Sequence, residues 1–318
     1  MIIDLPSGGR ARLIGDPHLG LKFETGVPLH RRGEREQKQF AKFVEALRTP
    51  DVEFNIMVGD LFEHPYVSHG VVVAAAEAYL AAAKDLPATK FAAMAGNHDR
   101  PRAVGQTGAW ESFRAMIDGR RDNLVAVDKP GLLDQGLAVV PWEWDRTAIE
   151  QVKDLRAHQN GAGVVIGHWD LKSYGGDESH LAPTAALTDK GWSKFYSGHY
   201  HTPGEYRVGG HTVHCTGSLE PYSHGEDPCG VLYVTAPLSE VEANPEQFKD
   251  KCLRVILNPG EELPSGLDCL AVTPLRQQGE ARDVPEIVLD GFDWDKVLKH
   301  ELSQVNDEEV VTFINDRL

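Results

Sequence analysis

Short apolar segments recur along the N-terminal two thirds of the chain, and each is bounded by glycine, proline or aspartate. Segments of this length that are rich in β-branched and aromatic residues are typical of buried strands. Residues 34–47 and 68–84 lie between the early segments and have helical composition, with Ser68 as a candidate N-cap. Strands that alternate with helices predict an α/β protein built on a layered sheet. The predicted strands are 11–15, 54–59, 90–95, 124–127, 137–141, 163–167 and 194–197.

The character of the chain changes near residues 235–245, where Pro237 and Pro245 bracket acidic, polar sequence. Beyond this point, residues 253–257 and 270–272 are candidate strands. Apolar residues between 297 and 314 fall near helical spacing, which predicts an amphipathic helix. We therefore predict a larger domain over residues 1–236 and a small acidic α+β cap over residues 237–318.

Composition narrows the classes of function. Of the 318 residues, 41% are hydrophobic, which suffices for a globular core, and the formal net charge is −16. The segment 237–318 holds 8 Lys and Arg against 18 Asp and Glu, so most of the excess acid lies there. This balance excludes a protein that coats nucleic acid by bulk electrostatic attraction. The four cysteines are widely spaced and form no CxxC pair, which argues against a zinc ribbon or a disulfide framework.

The N-terminal sequence has no basic segment followed by an apolar one, and no apolar run is long enough to cross a bilayer. We therefore expect a cytoplasmic protein without a membrane partner.

Five short polar motifs follow predicted strands, and each begins with glycine. The carboxyl ends of strands in an open α/β sheet converge on one edge, where ligands bind. Glycine before each polar residue permits the tight turn that aims the side chain inward. Because a single Asp or His at a strand end is usually a cap or a surface group, the prediction of a site rests on the complete set. The motifs are Gly15-Asp-Pro-His18, Gly59-Asp60, Gly96-Asn-His-Asp99, Gly167-His168 and Gly198-His-Tyr-His201.

The side chains of these motifs indicate a metal centre. Carboxylate, amide and imidazole groups suit manganese, iron or zinc, and the lack of a thiolate argues against a structural zinc site. One carboxylate shared by two ions, assigned to Asp60, would hold them roughly 3.5–4 Å apart for a phosphoryl displacement, with a metal-bridging hydroxide as the nucleophile. Four histidines outside the motifs are interpreted as ordinary side chains, and they are His180, His211, His214 and His224.

In this order, the five motifs resemble those of the calcineurin-like metallophosphoesterase superfamily, across residues from about 12 to 236. The resemblance implies a layered β-sandwich flanked by helices and two divalent metal ions. One metal ion would be held by Asp16, His18, Asp60 and His201. The other would be held by Asp60, Asn97, His168 and His199. The resemblance also implies that His98 contacts the phosphate and helps the leaving oxygen depart, while Asp99 orients His98.

Within that superfamily, the chain resembles more closely the nuclease subunit of SbcCD-type DNA repair complexes, including the versions encoded by bacteriophages. Asp16-Pro-His-Leu-Gly20 and Gly59-Asp-Leu-Phe62 are similar to its first two motifs. Thr216-Gly-Ser-Leu-Glu-Pro-Tyr-Ser-His-Gly-Glu226 is similar to the Gly-Ser…Ser-x-Gly-Glu segment that follows its last metal motif. The resemblance implies a manganese-dependent DNA exonuclease or endonuclease that acts in recombination and repair beside an SbcC-like ATPase partner, with iron or zinc as alternative metals.

Two features leave the role in DNA cleavage open. Glu63 and His64 stand where the nuclease group usually has His or Asp. A basic segment over residues 30–38 could follow a DNA backbone, although its interspersed glutamates equally suit a solvated helix start. The candidate DNA contacts are Arg31, Arg32, Arg35 and His64.

Two alternatives stand beside the DNA nuclease. The same residues would serve a phosphatase or phosphodiesterase for nucleotides, phosphoproteins or other small phosphoesters. A scaffold without catalysis could bind its partner through the acidic cap. The residues from about 295 onward are expected to dock an SbcC-like ATPase or a second copy of the chain.

Overall fold

The structure is a computed structural model that describes residues 1–103, 105–158, 163–172 and 178–277. The predicted C-terminal docking helix and the acidic residues around it lie outside the described residues. Within the described part, no helix combines the length and the apolar character that a membrane span requires.

The described elements alternate between strands and helices along most of the chain. The strands are β1 (Ile2–Asp4), β2 (Arg10–Ile14), β3 (Phe54–Met57), β4 (Lys90–Met94), β5 (Leu124–Val127), β6 (Gly131–Asp134), β7 (Leu137–Val140), β8 (Gly163–Gly167), β9 (Trp192–Ser197), β10 (Gly204–Val208), β11 (His211–Cys215), β12 (Tyr233–Pro237), β13 (Cys252–Leu257) and β14 (Ala271–Arg276). The α-helices are α1 (Glu34–Leu47), α2 (His69–Asp85), α3 (Ala109–Ile117), α4 (Ala148–Lys153), α5 (Thr184–Asp189) and α6 (Leu238–Ala243). Short 3₁₀ turns cover Leu29–Arg31 and Pro245–Phe248.

Two sheets form the centre of the molecule. The first has the order β1-β2-β3-β4-β5, in which β1 is antiparallel and the other four strands are parallel. The second has the order β10-β11-β9-β8-β7-β6, in which β11, β9, β8 and β7 are parallel and the two outer strands are antiparallel. Parallel strands place their carboxyl ends at the same edge of each sheet.

The inner faces of the two sheets share one apolar core. Side chains alternate along each strand, so Ala92 and Met94 of β4 point toward the other sheet, while Phe91 and Ala93 point away. The core contains Leu13 from the first sheet and Ile166 from the second. The two sheets are therefore packed face to face as a sandwich, which confirms the predicted layered α/β fold class.

Helices cover the outer faces of the sandwich. Helices α1, α2 and α3 supply buried residues to the cluster on the outside of the first sheet, and α4 and α5 do so for the second sheet. Along α1, the buried positions Arg35, Gln39 and Phe43 recur every fourth residue and form one inward stripe. Buried Asn55 on β3 donates to the carbonyl oxygens of Ala46 and Leu47 at 3.0 and 3.1 Å, which satisfies the end of α1.

A third sheet, with the order β12-β13-β14, follows the sandwich in sequence. It has its own apolar cluster, which includes Val241, Phe248 and Val255. Residues Met1–Leu257 and Glu262–Leu275 belong to one compact unit. The remaining described residues form a second unit, in which Glu261 accepts from the backbone N–H of Asn258 at 2.7 Å. The predicted domain division at residue 236 stays a prediction.

Candidate metal centre

The five motifs meet at the edge where the parallel strands of both sheets end. Asp16, Asp60 and Asn97 follow β2, β3 and β4 of the first sheet, and His168 and His199 follow β8 and β9 of the second. The backbone turns sharply at this edge. Most described residues with positive φ are glycines, yet four residues of the motifs have it too, and they are Asp16 (22°), His18 (47°), Asp60 (51°) and His199 (77°).

Two histidines and one aspartate form the first group of donor atoms. The Nε2 atoms of His18 and His201 lie 3.0 Å apart. Oδ2 of Asp60 lies 3.8 Å from Nε2 of His18. Donor atoms that share one ion at about 2.1 Å lie about 3 Å apart when they are at right angles, so this spacing suits a common cation.

The second group surrounds Asn97. Its Oδ1 atom lies 2.9 Å from Nε2 of His168 and 2.9 Å from Nδ1 of His199. Oδ2 of Asp60 lies 3.3 Å from Nε2 of His168. Donor atoms of Asp60, His168 and His199 all lie within 4.8 Å of one another, which makes them a candidate cation site.

Asp60 lies between the two groups, because its Oδ2 atom approaches His18 on one side and His168 on the other. This position suits the carboxylate that was predicted to be shared. Asp16 is fully buried beside both groups, with Oδ1 3.6 Å from Nδ1 of His168. Among the described residues, the Oδ2 atom of Asp16 has no hydrogen-bond partner. A buried carboxylate oxygen without a partner is unfavourable unless a cation neutralises it, so the residues fit a metal centre.

Each of the four histidines has one ring nitrogen close to an oxygen atom outside the two groups, although Nδ1 of His18 forms no hydrogen bond among the described residues. Nδ1 of His18 lies 3.0 Å from Glu63, Nε2 of His199 lies 3.0 Å from Asp170, and Nδ1 of His201 lies 3.3 Å from Glu226. Nδ1 of His168 lies 2.9 Å from the carbonyl oxygen of Val58. A ring N–H that donates to such an acceptor leaves the lone pair of the other nitrogen directed at the centre, as metal-ligating histidines require.

Replacing one of these outer carboxylates tests the arrangement. We expect Glu226→Gln to weaken metal binding by about 10–100-fold, because glutamine no longer raises the basicity of His201 or fixes its ring. Isothermal titration with Mn²⁺ measures the change. Glu205→Gln is the matched control, because Glu205 contacts Nδ1 of His214 at 3.5 Å on β10 and β11, where no metal is proposed. Equal affinities for Glu226→Gln and the control would contradict the assigned role of Glu226.

His98 and Asp99 have different environments. The backbone N–H of His98 donates to Oδ1 of Asp60 at 2.9 Å, and its ring Nδ1 lies 2.5 Å from the carbonyl oxygen of Glu63. The carboxylate of Asp99 accepts from the backbone N–H groups of Gly96, Phe62 and Leu61 at 2.7, 2.8 and 3.3 Å. Asp99 thereby ties the loop after β3 to the loop after β4. The prediction that Asp99 orients His98 stays a prediction. Asp99 would do so indirectly, through the backbone of the two loops that it joins.

Close charges shift the pKa values of the buried groups at this edge. Burial by itself would lower the pKa of His168, but the negative charges of Asp60 and Asp16 raise it to about 9. Burial opposes ionisation of Asp60, yet His168 and His18 hold its pKa below the usual range. Burial and the nearby charge of Asp60 raise the pKa of Asp99 to about 7. Buried carboxylates and imidazoles that shift one another's pKa values are typical of functional sites.

The glycine of each motif was predicted to permit a tight turn, but Gly59 alone among these five has positive φ, at 113°. The other motif glycines are needed because neighbouring atoms approach closely. A Cβ atom on Gly96 would lie 2.2 Å from Oδ1 of Asp60 and 2.3 Å from its backbone nitrogen. A side chain at this position therefore pushes Asp60 out of place.

We expect Gly96→Ala to lower both metal affinity and stability, because the added methyl group overlaps Asp60. An overpacked site typically loses about 1–3 kcal/mol of unfolding free energy. Gly70→Ala is the control, since nothing lies within 4 Å of its Cβ position in α2. Alanine should stabilise that helix by about 0.5–1 kcal/mol. Chemical denaturation with and without Mn²⁺ compares the two, and unchanged metal affinity in Gly96→Ala would contradict this account.

Several residues of the centre were not predicted. Glu63 was noted only as a departure from the nuclease group, and Asp170 and Glu226 were not assigned any role. Tyr222 was also missed, although its hydroxyl group lies 2.9 and 2.7 Å from the carbonyl oxygens of Asp16 and Pro17. Its ring packs edge-on against His18 and His201, with centroid distances of 5.4 and 5.6 Å. Both Tyr222 and Glu226 belong to the 216–226 segment, whose resemblance to nuclease subunits was the available signal.

The candidate DNA contacts divide into two kinds. Arg32 and His64 are exposed, and their role stays a prediction. Arg31 and Arg35 are only 7% and 3% exposed. Arg31 pairs with Glu34 at 2.7 Å and Arg35 pairs with Glu220 at 2.5 Å. The prediction that Arg31 and Arg35 contact DNA is therefore corrected, because both guanidinium groups are buried against carboxylates of the same chain.

The fold and the centre together define an α/β sandwich protein with a candidate site for divalent cations.

No family model matches the chain. The chain is similar to the DNA double-strand break repair protein Mre11 of Methanopyrus kandleri, with 25% identity over 225 residues that cover 65% of this chain and 48% of that protein. It therefore spans about half the length of this curated relative. A structural comparison finds the Pseudomonas putida nuclease MPE, at 17% identity, over 52% of this chain and 71% of that chain, with a TM-score of 0.26.

Proposed function

We propose that this protein is a metal-dependent phosphodiesterase that cleaves DNA and uses two divalent cations, most suitably Mn²⁺, with Fe²⁺ or Zn²⁺ as alternatives. One observation carries the proposal. Four histidines each direct one nitrogen toward Asp60, Asn97 or one another, while an oxygen atom of an outer residue lies within 3.3 Å of the other nitrogen. Imidazoles that have an outer partner in this way are typical of metal ligands.

The residues divide into two ligand sets that share Asp60. The first set would be Asp16, His18, Asp60 and His201. The second would be Asp60, Asn97, His168 and His199. A pair of cations held there would polarise the phosphoryl group, activate water and neutralise charge on the departing oxygen. The mixed oxygen and nitrogen donors suit Mn²⁺.

His98 would act from outside both ligand sets. Glu63 holds one ring nitrogen through its carbonyl oxygen, so the other nitrogen is available to a bound phosphodiester. His98 would then donate a proton to the leaving oxygen, or hydrogen-bond to the phosphate as negative charge develops there. Its ring packs edge-on against His18 at 4.9 Å between centroids, which positions it beside the first ligand set.

DNA is the proposed substrate on two grounds. The similarity to Mre11 is to a DNA repair protein, and it extends over 225 residues. The 216–226 segment, which resembles nuclease subunits, contributes Glu226 and Tyr222 to the surroundings of His201. An SbcC-like ATPase is the proposed partner, with the residues from about 295 onward as its docking segment.

The alternatives make different demands on the same residues. A scaffold without catalysis has no physical need for a buried carboxylate whose oxygen lacks a partner among the described residues. A phosphatase for small phosphoesters would use the same ligand sets. Only the substrate that is hydrolysed distinguishes it from a nuclease.

The decisive experiment measures metal and activity together. Purified protein would be analysed for bound metal, then incubated with Mn²⁺ and with linear DNA, circular DNA or small phosphomonoesters. The DNA incubations would be repeated with a candidate ATPase and ATP. We expect bound or readily restored metal and cleavage of DNA. Hydrolysis of phosphomonoesters alone would favour the phosphatase, and the absence of both metal binding and hydrolysis would favour the scaffold.

A further inference from the structure

A cavity of about 330 Å³ lies between residues 21–27 and the third sheet, and Tyr222, which packs against His18 and His201, lines it. Its lining includes residues from the segment after the first motif, from the 216–226 segment and from β12, β13 and β14. The volume is that of a small-ligand site. Neither of the proposed ligand sets uses it.

Aromatic rings form part of the cavity wall. Phe23, Tyr222 and Tyr233 line it, and the rings of Phe23 and Tyr222 lie 6.4 Å apart with an angle of 31° between their planes. The guanidinium group of Arg35 lies over the ring of Phe23 at 4.5 Å from its centroid, which fixes one face of that ring. Such a wall suits a flat aromatic ligand, because stacking does not demand a particular base.

The charges of the lining favour an anion. Lys22, Arg35 and Arg254 line the cavity, and Glu24 is the carboxylate on the same lining. Arg35 is neutralised by Glu220 at 2.5 Å. Within the described part of the chain, neither Lys22 nor Arg254 forms an ion pair with a carboxylate, whereas Arg35 on the same lining does. Lys22 and Arg254 therefore offer the cavity two positive charges that no carboxylate of the described residues neutralises.

We propose that this cavity binds a nucleotide. Its base would stack on the rings of Phe23, Tyr222 and Tyr233, and its phosphate would contact Lys22 and Arg254. Because Tyr222 also packs against His18 and His201, the cavity and the metal centre share one side chain. The nucleotide would be either the terminal unit of a DNA strand or a free nucleotide.

The test measures binding without hydrolysis. Equilibrium titrations with deoxyadenosine 5′-monophosphate would be carried out in EDTA, so that no cation can attract the phosphate. Binding in EDTA does not require the metal centre, so this result is independent of the proposed phosphodiesterase activity. We expect saturable binding by the full chain, with 2-deoxyribose 5-phosphate binding about 5- to 100-fold more weakly because it has no base to stack.

Three variants identify the site. Lys22→Gln and Arg254→Gln should each weaken nucleotide binding about tenfold or more, since each removes a charged contact to phosphate. Phe23→Leu keeps apolar volume but removes a ring, so it should weaken binding of the nucleotide and leave that of the sugar phosphate unchanged. Arg207→Gln is the matched control, because it removes one exposed cation on β10, away from the cavity. Nucleotide affinity that is the same in Arg254→Gln and Arg207→Gln would overturn the proposal.

A second titration separates the two sources of the nucleotide. A short single-stranded oligonucleotide is compared with the same strand that lacks its terminal base, again in EDTA. If the strand end occupies the cavity, removing the base and Phe23→Leu remove the same stacking contact, so their effects do not add, and Arg254→Gln weakens binding of both strands. If a free nucleotide is the ligand, the mononucleotide binds and the oligonucleotide is insensitive to Arg254→Gln. Insensitivity of both ligands to all three variants would leave the cavity without the proposed role.

Discussion

Asp60→Asn is expected to abolish phosphodiester hydrolysis while the fold remains intact. Asparagine keeps an oxygen that can accept from the backbone N–H of His98, as Oδ1 of Asp60 does at 2.9 Å. It loses the negative charge that lies between the two groups of histidines. Because loss of an outer partner alone lowers metal affinity or activity by about 10–100-fold, loss of a shared ligand should lower turnover by more than about 10²-fold.

Three measurements check this result. Hydrolysis of bis(4-nitrophenyl) phosphate with Mn²⁺ gives turnover, elemental analysis gives bound metal, and thermal unfolding reports the fold. Asp51→Asn is the matched control, since Asp51 is another aspartate with positive φ, at 57°, on an exposed turn before β3. Near-normal turnover of Asp60→Asn at ordinary Mn²⁺ concentrations would show that the ligand assignment is wrong.

His98→Ala is expected to keep bound metal and to lose turnover by about 10²–10⁴-fold, the usual contribution of a general acid or base. The contact between position 98 and Asp60 uses the backbone N–H, so the alanine variant retains it. What is lost is the ring that Glu63 fixes. The loss should be larger for a substrate with an alkoxide leaving group than for one with 4-nitrophenolate, because the better leaving group needs less protonation.

The alternative role of His98 gives a different outcome. Donor atoms of His18, Glu63 and His98 also lie within 4.8 Å of one another and form a further candidate cation group, separate from the two described above. If His98 were a ligand in that group, His98→Ala would lose metal and the loss of turnover would be equal for both substrates. His64→Ala serves as the control, because His64 is an exposed histidine in the neighbouring loop after β3.

The strands that frame the centre were predictable from the sequence. The predicted strand 90–95 is β4 (Lys90–Met94), and 163–167 is β8 (Gly163–Gly167). Both are continuous apolar runs that end at a glycine and a polar ligand, so the buried strand and its carboxyl end are visible in one stretch of sequence. The edge strands β6 and β10 were missed, since they are partly exposed and lack such a run.

The outer carboxylates were harder to predict, because a carboxylate that contacts a histidine leaves no local pattern. Glu226 lies 25 residues after His201, and its role depends on how the 216–226 segment folds back. The same reason explains the error at Arg35. Its partner, Glu220, lies 185 residues away in sequence, so a basic stretch gives no sign that one of its charges is already paired. Charge patterns describe neighbours along the chain, whereas ion pairs join neighbours in space.

The backbone is left-handed at four proposed ligands, Asp16, His18, Asp60 and His199. At these positions the backbone conformation favours glycine, whereas metal binding requires a side chain. Glycine is the residue that adopts this conformation without steric penalty, while other residues held in it lose about 1–3 kcal/mol each. Yet glycine offers no side chain to a cation, so relief of the backbone at any of the four positions removes a ligand. At this edge, a substitution that stabilises the backbone also removes a metal ligand. Stabilising substitutions compatible with activity must therefore be sought elsewhere in the chain.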